Sequence, residues 1–544
     1  MMRVFKNILF FILLYCIQCN YTVYSQEKYV KKNSQKDRFI EVDIRKKAGQ
    51  YDTFHNTCVS TGRAYLLLRK DHQEHIQKAA QECGFKYLRF HGLFQDDMGL
   101  YRENAAGEAI YSWQYIDKVY DFIYDAGLHP FVVFDFMPEA LASEKKYIYW
   151  EHSNITPPKD YKKWGNLIYE TVKHFTERYG QEEVSQWFFE VWNEPDKNFF
   201  TGTIDNYLEM YEYAAQAVKS VSENYRVGGP SIAGNNYWIS RLIEYCNKKD
   251  IPLDFISAHN YSAKTFSEEK TYKTWEVPSI PSWEPGPSWP LGNLCYDPHG
   301  TTEAIENVYR TVQSSLIPTL DIHYTEWGLS WDYWDPIRDS YQAPSFILSR
   351  INSIANDRIK SLSYCMVSDV FEEDGPPTDY FHGGFGLINL QGLRKPAYFA
   401  YKFLNELGNT KLECSDKNTI ACCSENDSIQ IIFWDCTVRQ DKENKAYYAQ
   451  STPALPAGTA KVSFSGLTPG MYQLTLYRVG YRSNDAYSHY LDIKHNNNLT
   501  RSQIRELDKL CSGSPEQTIT LEISPDGKYL FQTQIKENDV CLIN

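Results

Sequence analysis

Two glutamates at the ends of apolar segments are the residues of this chain best suited to chemistry. Glu194 follows the aromatic and β-branched segment Trp187–Trp192, with Asn193 between them and a proline directly after. Glu326 closes a second, mostly apolar and aromatic segment, Ile322–Thr325. Such residues favour strands, and a proline cannot donate to a sheet ladder. Each glutamate is therefore predicted to lie at the C-terminal end of a strand.

Paired carboxyl groups of this kind can cleave a glycosidic bond. In retaining glycosidases one carboxylate attacks the anomeric carbon, and the other serves first as acid and then as base, roughly 5–5.5 Å away. A single strand-end glutamate is more often just a solvated carboxylate. The interpretation therefore depends on whether one barrel brings Glu194 and Glu326 to the same rim.

The order of the other elements predicts such a barrel. Helical segments, among them His72–Cys83 and Tyr207–Val221, alternate with apolar ones over residues 54–410. Eight segments are predicted as strands: Cys58–Ser60, Tyr87–His91, Pro130–Phe136, Trp187–Trp192, Arg226–Gly229, Phe255–His259, Ile322–Glu326 and Ser361–Val367. Eight such repeats are typical of a (β/α)8 barrel, a TIM barrel, in which chemistry sits at the C-terminal ends of the strands. The Pro-, Gly- and Trp-rich stretch Trp275–Pro298 is predicted to be a long rim loop.

Residues 411–544 follow a different pattern, with short strands, turn residues and little helix. The predicted strands are Ile429–Trp434, Ala460–Phe464, Met471–Arg478, Thr518–Ile523 and Lys528–Gln532. This pattern favours an accessory β-sandwich. Residues 26–53 are predicted to be a linker followed by a strand, Arg38–Arg45, that has no place in the barrel and completes the sandwich.

Residues 1–25 are predicted to be a signal peptide, because a basic start precedes an apolar run too short to span a membrane. We therefore expect export to a periplasm, a cell surface or the medium. Cleavage after Ser25 is favoured over lipidation at Cys19. The 13 cysteines show no regular spacing, so a disulfide framework is not expected, although one or two bridges stay open.

Charge and motif content exclude several function classes. A net charge of −13 argues against a nucleic-acid partner. The sequence has no Gly-rich phosphate loop, HExxH or paired CxxC motif, so we expect no cofactor and no metal. His72 and His75, three residues apart, lack a third ligand nearby and are interpreted as part of a solvated helix face.

Further segments, read together with the two glutamate strands, resemble a known family. They are Arg89–Leu93, Asp96–Met98, Phe136–Pro138, Leu141–Ser143, Thr156–Tyr161, Val227–Pro230, Asp254–Ser257, Phe371–Glu373 and Phe381–Leu387. In order and spacing they are similar to glycoside hydrolase family 39, the β-xylosidase and α-L-iduronidase family of clan A. That family joins the barrel to a β-sandwich built from both chain ends.

The resemblance implies roles for the candidate site residues. Glu194 would be the general acid/base and Glu326 the nucleophile. Asn193 matches the residue that binds the hydroxyl next to the reacting carbon, and His91 matches a sugar-contacting histidine.

Four more residues are candidates from their positions at strand ends. His259 and Tyr261, at the end of the sixth strand, could hydrogen-bond Glu326 or the sugar. Glu372 and Glu373, after the eighth strand, could bind the distal hydroxyls or could form a solvated acidic loop.

Two positions depart from the family pattern. Gly328 stands where asparagine is usual. Cys365 stands where relatives carry a tryptophan that forms a sugar-stacking wall. Both departures concern which sugar is held.

The sequence thus predicts an exported, retaining exo-glycosidase, foremost a β-xylosidase that removes xylose from xylo-oligosaccharides. The alternatives are another family 39 glycosidase, arabinose-releasing or α-L-iduronidase-like, and a non-catalytic carbohydrate-binding protein of the same fold. The predicted partner is an oligosaccharide or glycoside, and the oligomeric state stays open, with a homo-oligomer among the options.

Overall fold

The structure is a computed structural model, and it describes most of the chain. The described residues are 37–265, 294–355, 357–377, 379–437, 444–493 and 498–544. The predicted signal peptide, nearly all of the predicted linker and most of the predicted rim loop lie outside them. No helix among these residues is long and apolar enough to span a membrane.

Eight parallel strands close into a barrel in chain order, as predicted. They are Cys58–Ser60, Tyr87–Phe90, His129–Phe134, Phe188–Val191, Arg226–Ile232, Phe255–Tyr261, Asp321–Gly328 and Ser361–Cys365. Every predicted barrel strand overlaps one of them. Because they are parallel, their C-terminal ends form one rim, which carries both glutamates.

A main helix follows each strand and covers the barrel, and a short helix, Gln181–Val184, precedes the fourth strand. The eight helices are Lys70–Cys83, Gln114–Asp125, Tyr161–Tyr179, Ile204–Val221, Tyr237–Lys249, Gly300–Gln313, Ala343–Ser353 and Pro396–Asn405. The fourth shows why these segments fold this way. Thr203 caps it through a reciprocal capping box with Asn206. Its buried face, which includes Tyr207, Ala214 and Val218, recurs with helical period and packs inward.

Two further sheets form the predicted accessory sandwich, and strands from both chain ends contribute to it. A three-stranded sheet contains Arg38–Asp43, Pro456–Ser465 and Tyr529–Lys536. A seven-stranded sheet contains Lys47–Gln50, Thr410–Leu412, Thr419–Cys423, Ile429–Trp434, Val540–Ile543, Gly470–Val479 and Gln517–Ile523. Apolar residues of both sheets, Val42, Ile431 and Val462 among them, form a common core.

The expectation of little helix after residue 411 was wrong. Asn444–Tyr448, Ala486–Ile493 and Arg501–Leu510 are helices inserted between sandwich strands. Tyr487 and Tyr490 of the second helix bury their rings against Phe381 of the loop after the eighth barrel strand. These insertions therefore pack on the barrel and do not extend the sandwich.

The seven-stranded sheet shares its other face with the barrel. Trp434, Val540 and Leu542 belong to the same apolar core as the barrel helices. The Trp434 indole donates to Ser349 Oγ of the seventh barrel helix at 2.7 Å. This sheet is therefore buried on both faces, one against the three-stranded sheet and the other against the barrel.

The barrel interior is layered. At its N-terminal end three phenylalanine rings, Phe131, Phe188 and Phe255, pack around His323 in tilted and edge-on contacts. The next layer toward the rim is polar and almost fully buried, and it includes Arg89, Glu190 and Thr325. Barrels usually fill such layers with branched apolar residues. A charged layer directly beneath the rim therefore suggests that it serves the site above it.

The interpretation of His72 and His75 as a solvated face was wrong, since both side chains are buried. The His72 ring lies 2.6 Å from Thr61 Oγ1, and the His75 ring lies 2.8 Å from Ser368 Oγ. These hydroxyls satisfy one ring nitrogen of each histidine and connect the first barrel helix to the barrel loops.

The ten cysteines whose side chains the structure describes are free thiols, so none of the disulfide bridges left open by the sequence forms among them.

A buried ion cluster holds the long loop that follows the eighth strand. Lys395 Nζ lies 2.6 Å from Asp339 Oδ1 and 3.0 Å from Asp369 Oδ2, and all three side chains are fully buried. It also donates to Gly384 O at 2.9 Å. The cluster thereby fixes both ends of the segment that carries Glu372 and Glu373.

Lys395→Met is expected to lower the free energy of unfolding by about 3–5 kcal/mol, because it leaves two buried carboxylates without their cation. The matched control is Lys402→Met in the helix that begins directly after Lys395, because the partner of Lys402, Glu82, is 3.3 Å away in a partly exposed pair. That change is expected to cost about 1 kcal/mol or less. Urea unfolding followed by circular dichroism measures both, and equal losses would contradict the assigned role of the cluster.

Candidate active site

Seven of the eight predicted site residues meet at the C-terminal rim. Five of them belong to one hydrogen-bonded network, and His91 and Glu373 form a separate pair beside it. Asn193 and Glu194 follow the fourth strand, while His259 and Tyr261 end the sixth and Glu326 lies in the seventh. His91 and Glu373 join them from the second and eighth strands.

The two glutamates face each other across His259. One carboxylate oxygen of each and a ring nitrogen of His259 all lie within 4.8 Å of one another. His259 Nδ1 is 2.8 Å from Glu194 Oε1 and 3.7 Å from Glu326 Oε2. The side chains of Glu194 and Glu326 are only 12% and 13% exposed, so the pair is shielded but reachable. This spacing suits direct attack by one carboxylate rather than insertion of a water molecule between them.

Glu326 is held in its ionised form. Burial alone would raise its pKa, but His259, Arg89 and His91 act on it with positive charge, and the net pKa is about 2. Arg89 Nη1 donates to Oε1 at 2.7 Å, and the Tyr261 hydroxyl donates to Oε2 at 2.8 Å. Each oxygen thus has a fixed donor, which keeps the carboxylate charged and oriented.

Glu194 lies in the opposite situation. Burial raises its pKa above the ordinary value, and the nearby negative charge of Glu326 adds to this, while His259 counteracts both. The backbone around it is strained, since Trp192 and Glu194 have φ values of 71° and 45°. Left-handed conformations at bulky residues are rare and occur mainly at functional sites.

A second carboxylate–histidine pair borders the cleft. His91 Nε2 lies 2.6 Å from Glu373 Oε1, and the Tyr333 hydroxyl donates to Oε2 at 2.6 Å. Burial would lower the His91 pKa, but the bond to Glu373 raises it to about 9. Glu372 instead accepts from Arg69 Nη1 at 2.8 Å, away from this network. A sugar contact by Glu372 stays a prediction.

At least four residues of the site, Arg89, Glu190, Thr325 and Tyr333, were missed by sequence reasoning. Arg89 donates to Glu190, Glu326 and Asn193, and Thr325 donates to Glu190. A charged residue in the middle of an apolar strand is the signal that could have found Arg89 and Glu190. Arg89 was noted only as part of a motif, and Glu190 only as part of a strand.

The two departures from the family pattern both lie beside Tyr261. A side-chain carbon at Gly328 would lie 3.2 Å from two ring atoms of Tyr261, so glycine lets this ring pack closely. Cys365 is buried with Phe385, and Tyr261, Tyr333 and Phe371 pack against them. An aromatic cluster therefore forms this wall of the cleft.

The arrangement contains a carboxyl group with a raised pKa, an ionised carboxylate and an amide beside them. Asn193 Oδ1 accepts from Arg89 Nη2 at 2.8 Å, so its Nδ2 is the atom that can donate to a ligand hydroxyl.

Glu194, His259 and Glu326 could also hold a metal ion between them. Arg89 already supplies the positive charge that Glu326 needs, and acid–base chemistry at this site requires no ion.

Comparison with known proteins agrees with this chemistry. The sequence pattern of the family described as glycosyl hydrolases family 39 matches residues 38–278 and 296–528. The chain belongs to glycosyl hydrolase family 39. It is therefore a glycoside hydrolase, and the predicted family and fold class are confirmed.

Relatives of this family 39 enzyme include proteins described as β-xylosidases. It is 37% identical to a β-xylosidase of Geobacillus stearothermophilus over 391 residues, which cover 70% of this chain and 74% of the relative. It is 38% identical to one of Caldicellulosiruptor saccharolyticus over 405 residues, 72% and 77% of the two chains. The crystal structure of a monomeric β-xylosidase from Caulobacter crescentus superposes with a TM-score of 0.85 at 33% identity, covering 93% of this chain and 99% of that one.

Proposed function

We propose that the protein is a retaining exo-β-xylosidase, with Glu326 as nucleophile and Glu194 as general acid/base. The observation that carries this is the pair of carboxyl groups with oxygens within 4.8 Å of each other and pKa values shifted in opposite directions. Two carboxyl groups whose environments separate their pKa values are suited to different roles.

The reaction proceeds in two displacements at one carbon. In the first, Glu326 attacks the anomeric carbon as the glycosidic bond breaks, and Glu194 transfers its proton to the departing oxygen. In the second, Glu194 takes a proton from water, whose oxygen attacks the same carbon and releases Glu326. Asn193 donates to the neighbouring hydroxyl, a contact that strengthens as charge develops in the transition state.

The choice of xylose rests on the β-xylosidases to which the chain is similar. The test is hydrolysis of a panel of p-nitrophenyl glycosides: β-xyloside, α-arabinoside, β-glucoside and α-iduronide. We expect the β-xyloside to have the highest kcat/KM, with release of one xylose at a time from xylo-oligosaccharides. A higher kcat/KM for another glycoside would leave the proposed mechanism intact but show that the sugar is not xylose. Binding of sugar without turnover would favour the carbohydrate-binding alternative.

The pH dependence of kcat/KM is expected to be bell-shaped and broad on the acid side. Activity falls as the pH rises through the pKa of Glu194, because the acid loses its proton, and that pKa is raised by burial. Activity falls on the acid side only as Glu326 becomes protonated, and its pKa is about 2. A profile measured from pH 3 upward should therefore show the alkaline limb well and little of the acid limb. A steep loss between pH 6 and 5 in stably folded enzyme would contradict the assignment.

We further propose that the protein is exported, on the strength of its N-terminal pattern. N-terminal sequencing of the protein from its own cells is expected to give Gln26, and a lipid-modified Cys19 would identify the anchored alternative.

Gel filtration tests the oligomeric state. The similarity to a monomeric Caulobacter enzyme favours a monomer over a homo-oligomer.

A further inference from the structure

Glu190 is a fully buried carboxylate inside the barrel, and the proposed reaction does not use it. It lies in the fourth strand, four residues before Glu194, and its side chain is fully buried. Oε2 accepts from Arg89 Nε at 2.8 Å, and Oε1 accepts from Thr325 Oγ1 at 2.9 Å. A buried charge is retained only when it is well paired, so its two partners indicate what it does.

One partner leads to the nucleophile. Arg89 is fixed at Nε by Glu190, and this directs Nη1 to Glu326 Oε1 at 2.7 Å and Nη2 to Asn193 Oδ1 at 2.8 Å. The guanidinium group is a rigid planar fork, so holding one edge fixes the direction of the others. Glu190 thereby aims the charge that keeps Glu326 ionised.

The other partner leads to the acid. The Thr325 hydroxyl has a single hydrogen, which it donates to Glu190, so its oxygen can only accept from His259 Nε2, 3.1 Å away. The contact with Thr325 requires a proton on Nε2, which Ser231 Oγ, 2.9 Å from the same nitrogen, can accept as well. Nδ1 and Glu194 Oε1, 2.8 Å apart, then share one further proton. That proton is on Nδ1 when the ring carries the positive charge that acts on Glu326, and on Glu194 when the ring is neutral. The hydroxyl direction thus favours the acid form of Glu194.

We infer that Glu190 is a positioning residue that orients both catalytic glutamates, the nucleophile through Arg89 and the acid through Thr325 and His259. The inference rests on the proposed glycosidase mechanism but on no particular sugar. Under this inference the buried carboxylate of Glu190 helps to keep Glu194 protonated and Glu326 ionised at the same time.

The first test is Glu190→Gln, which keeps the shape of the side chain. Its amide can donate to Thr325 Oγ1, which reverses the hydroxyl toward His259 Nε2 and moves the neutral ring's proton to Nδ1. That proton would stabilise ionised Glu194, so the alkaline limb of kcat/KM should move to lower pH by about 1 unit. The value of kcat/KM at the optimum should fall on the order of 100-fold, because Arg89 is also less well aimed.

Thr325→Val separates the effect on Glu194 from the effect on Glu326. It removes the hydroxyl that connects Glu190 to His259 and leaves the Glu190–Arg89 pair in place. It should move the alkaline limb in the same direction, and adding Glu190→Gln to it should move the limb no further. Thr325→Ser, the matched control, keeps the hydroxyl and should keep the wild-type limb. The other charged groups that act on the Glu194–His259 pair, Glu326, Asp196 and Arg89, are present in all these variants.

An activity-independent measurement keeps this inference separate from the proposed function. The ¹⁵N shifts of labelled histidine report which ring nitrogen of His259 carries the proton, with His259→Asn giving the assignment. For the neutral ring, the expected result is a proton on Nε2 in wild type and on Nδ1 in Glu190→Gln. An unchanged tautomer and an unmoved limb in folded Glu190→Gln or Thr325→Val would overturn the inference. Absence of glycoside turnover in wild type would overturn only the proposed function.

Discussion

Replacing Glu326 by alanine is expected to lower kcat for the β-xyloside on the order of 10⁵-fold, because no other group can attack the anomeric carbon. The Arg89 and Tyr261 donors would remain, with a cavity where the carboxylate was. Azide can enter such a cavity and attack the same face of the sugar. We expect azide to restore turnover of an activated aryl xyloside and to give the α-xylosyl azide, with inverted configuration.

The matched control is Glu74→Ala, which removes an exposed carboxylate from the first barrel helix. It should leave kcat within about twofold of wild type, as surface changes usually do little. Full activity of folded Glu326→Ala, or rescue that gives the β-azide, would assign the nucleophile elsewhere.

Glu194→Ala is expected to separate substrates by their leaving groups. General acid catalysis contributes typically 10²–10⁴-fold, so kcat/KM for xylobiose should fall by about that factor. An aryl xyloside with an activated leaving group needs no proton and should keep most of its kcat/KM. Its kcat should still fall, because the base for the second displacement is gone and the glycosyl-enzyme accumulates.

Azide provides the contrasting result for this variant. Here it should intercept the glycosyl-enzyme and give the β-xylosyl azide, with retained configuration. The two alanine variants should therefore yield opposite anomers from one reagent, which polarimetry or proton NMR resolves. The same anomer from both would be incompatible with a double displacement by Glu194 and Glu326.

The barrel was predictable because its signals are local. The segments around Phe188 and Tyr324 are aromatic or β-branched, and turn residues bound them, so each strand can be identified within a short window. The two glutamates were predictable for the same reason, since each directly ends such a segment. Their mutual distance followed from the fold class, which brings parallel strand ends to one rim.

The charged layer beneath the rim was not predictable in the same way. Arg89 meets Glu190 and Glu326 only because the barrel closes, and nothing near Arg89 in the chain indicates either partner. His72 and His75 were misinterpreted for the related reason that their partners, Thr61 and Ser368, lie on barrel loops. The inserted helices after residue 411 were missed because their apolar faces match the barrel and not the sandwich.

The pairing of the first described strand has a consequence for biosynthesis. Arg38–Asp43 runs parallel to Pro456–Ser465, with Ile40 opposite Val462. The first described strand thus has no partner in its sheet until most of the chain has been made. Closing so long a loop is slow, and an unpaired apolar strand is prone to wrong associations in the interval. If the chain is exported before folding, both partners reach the new compartment unfolded, and the sandwich can close only after translocation is nearly complete.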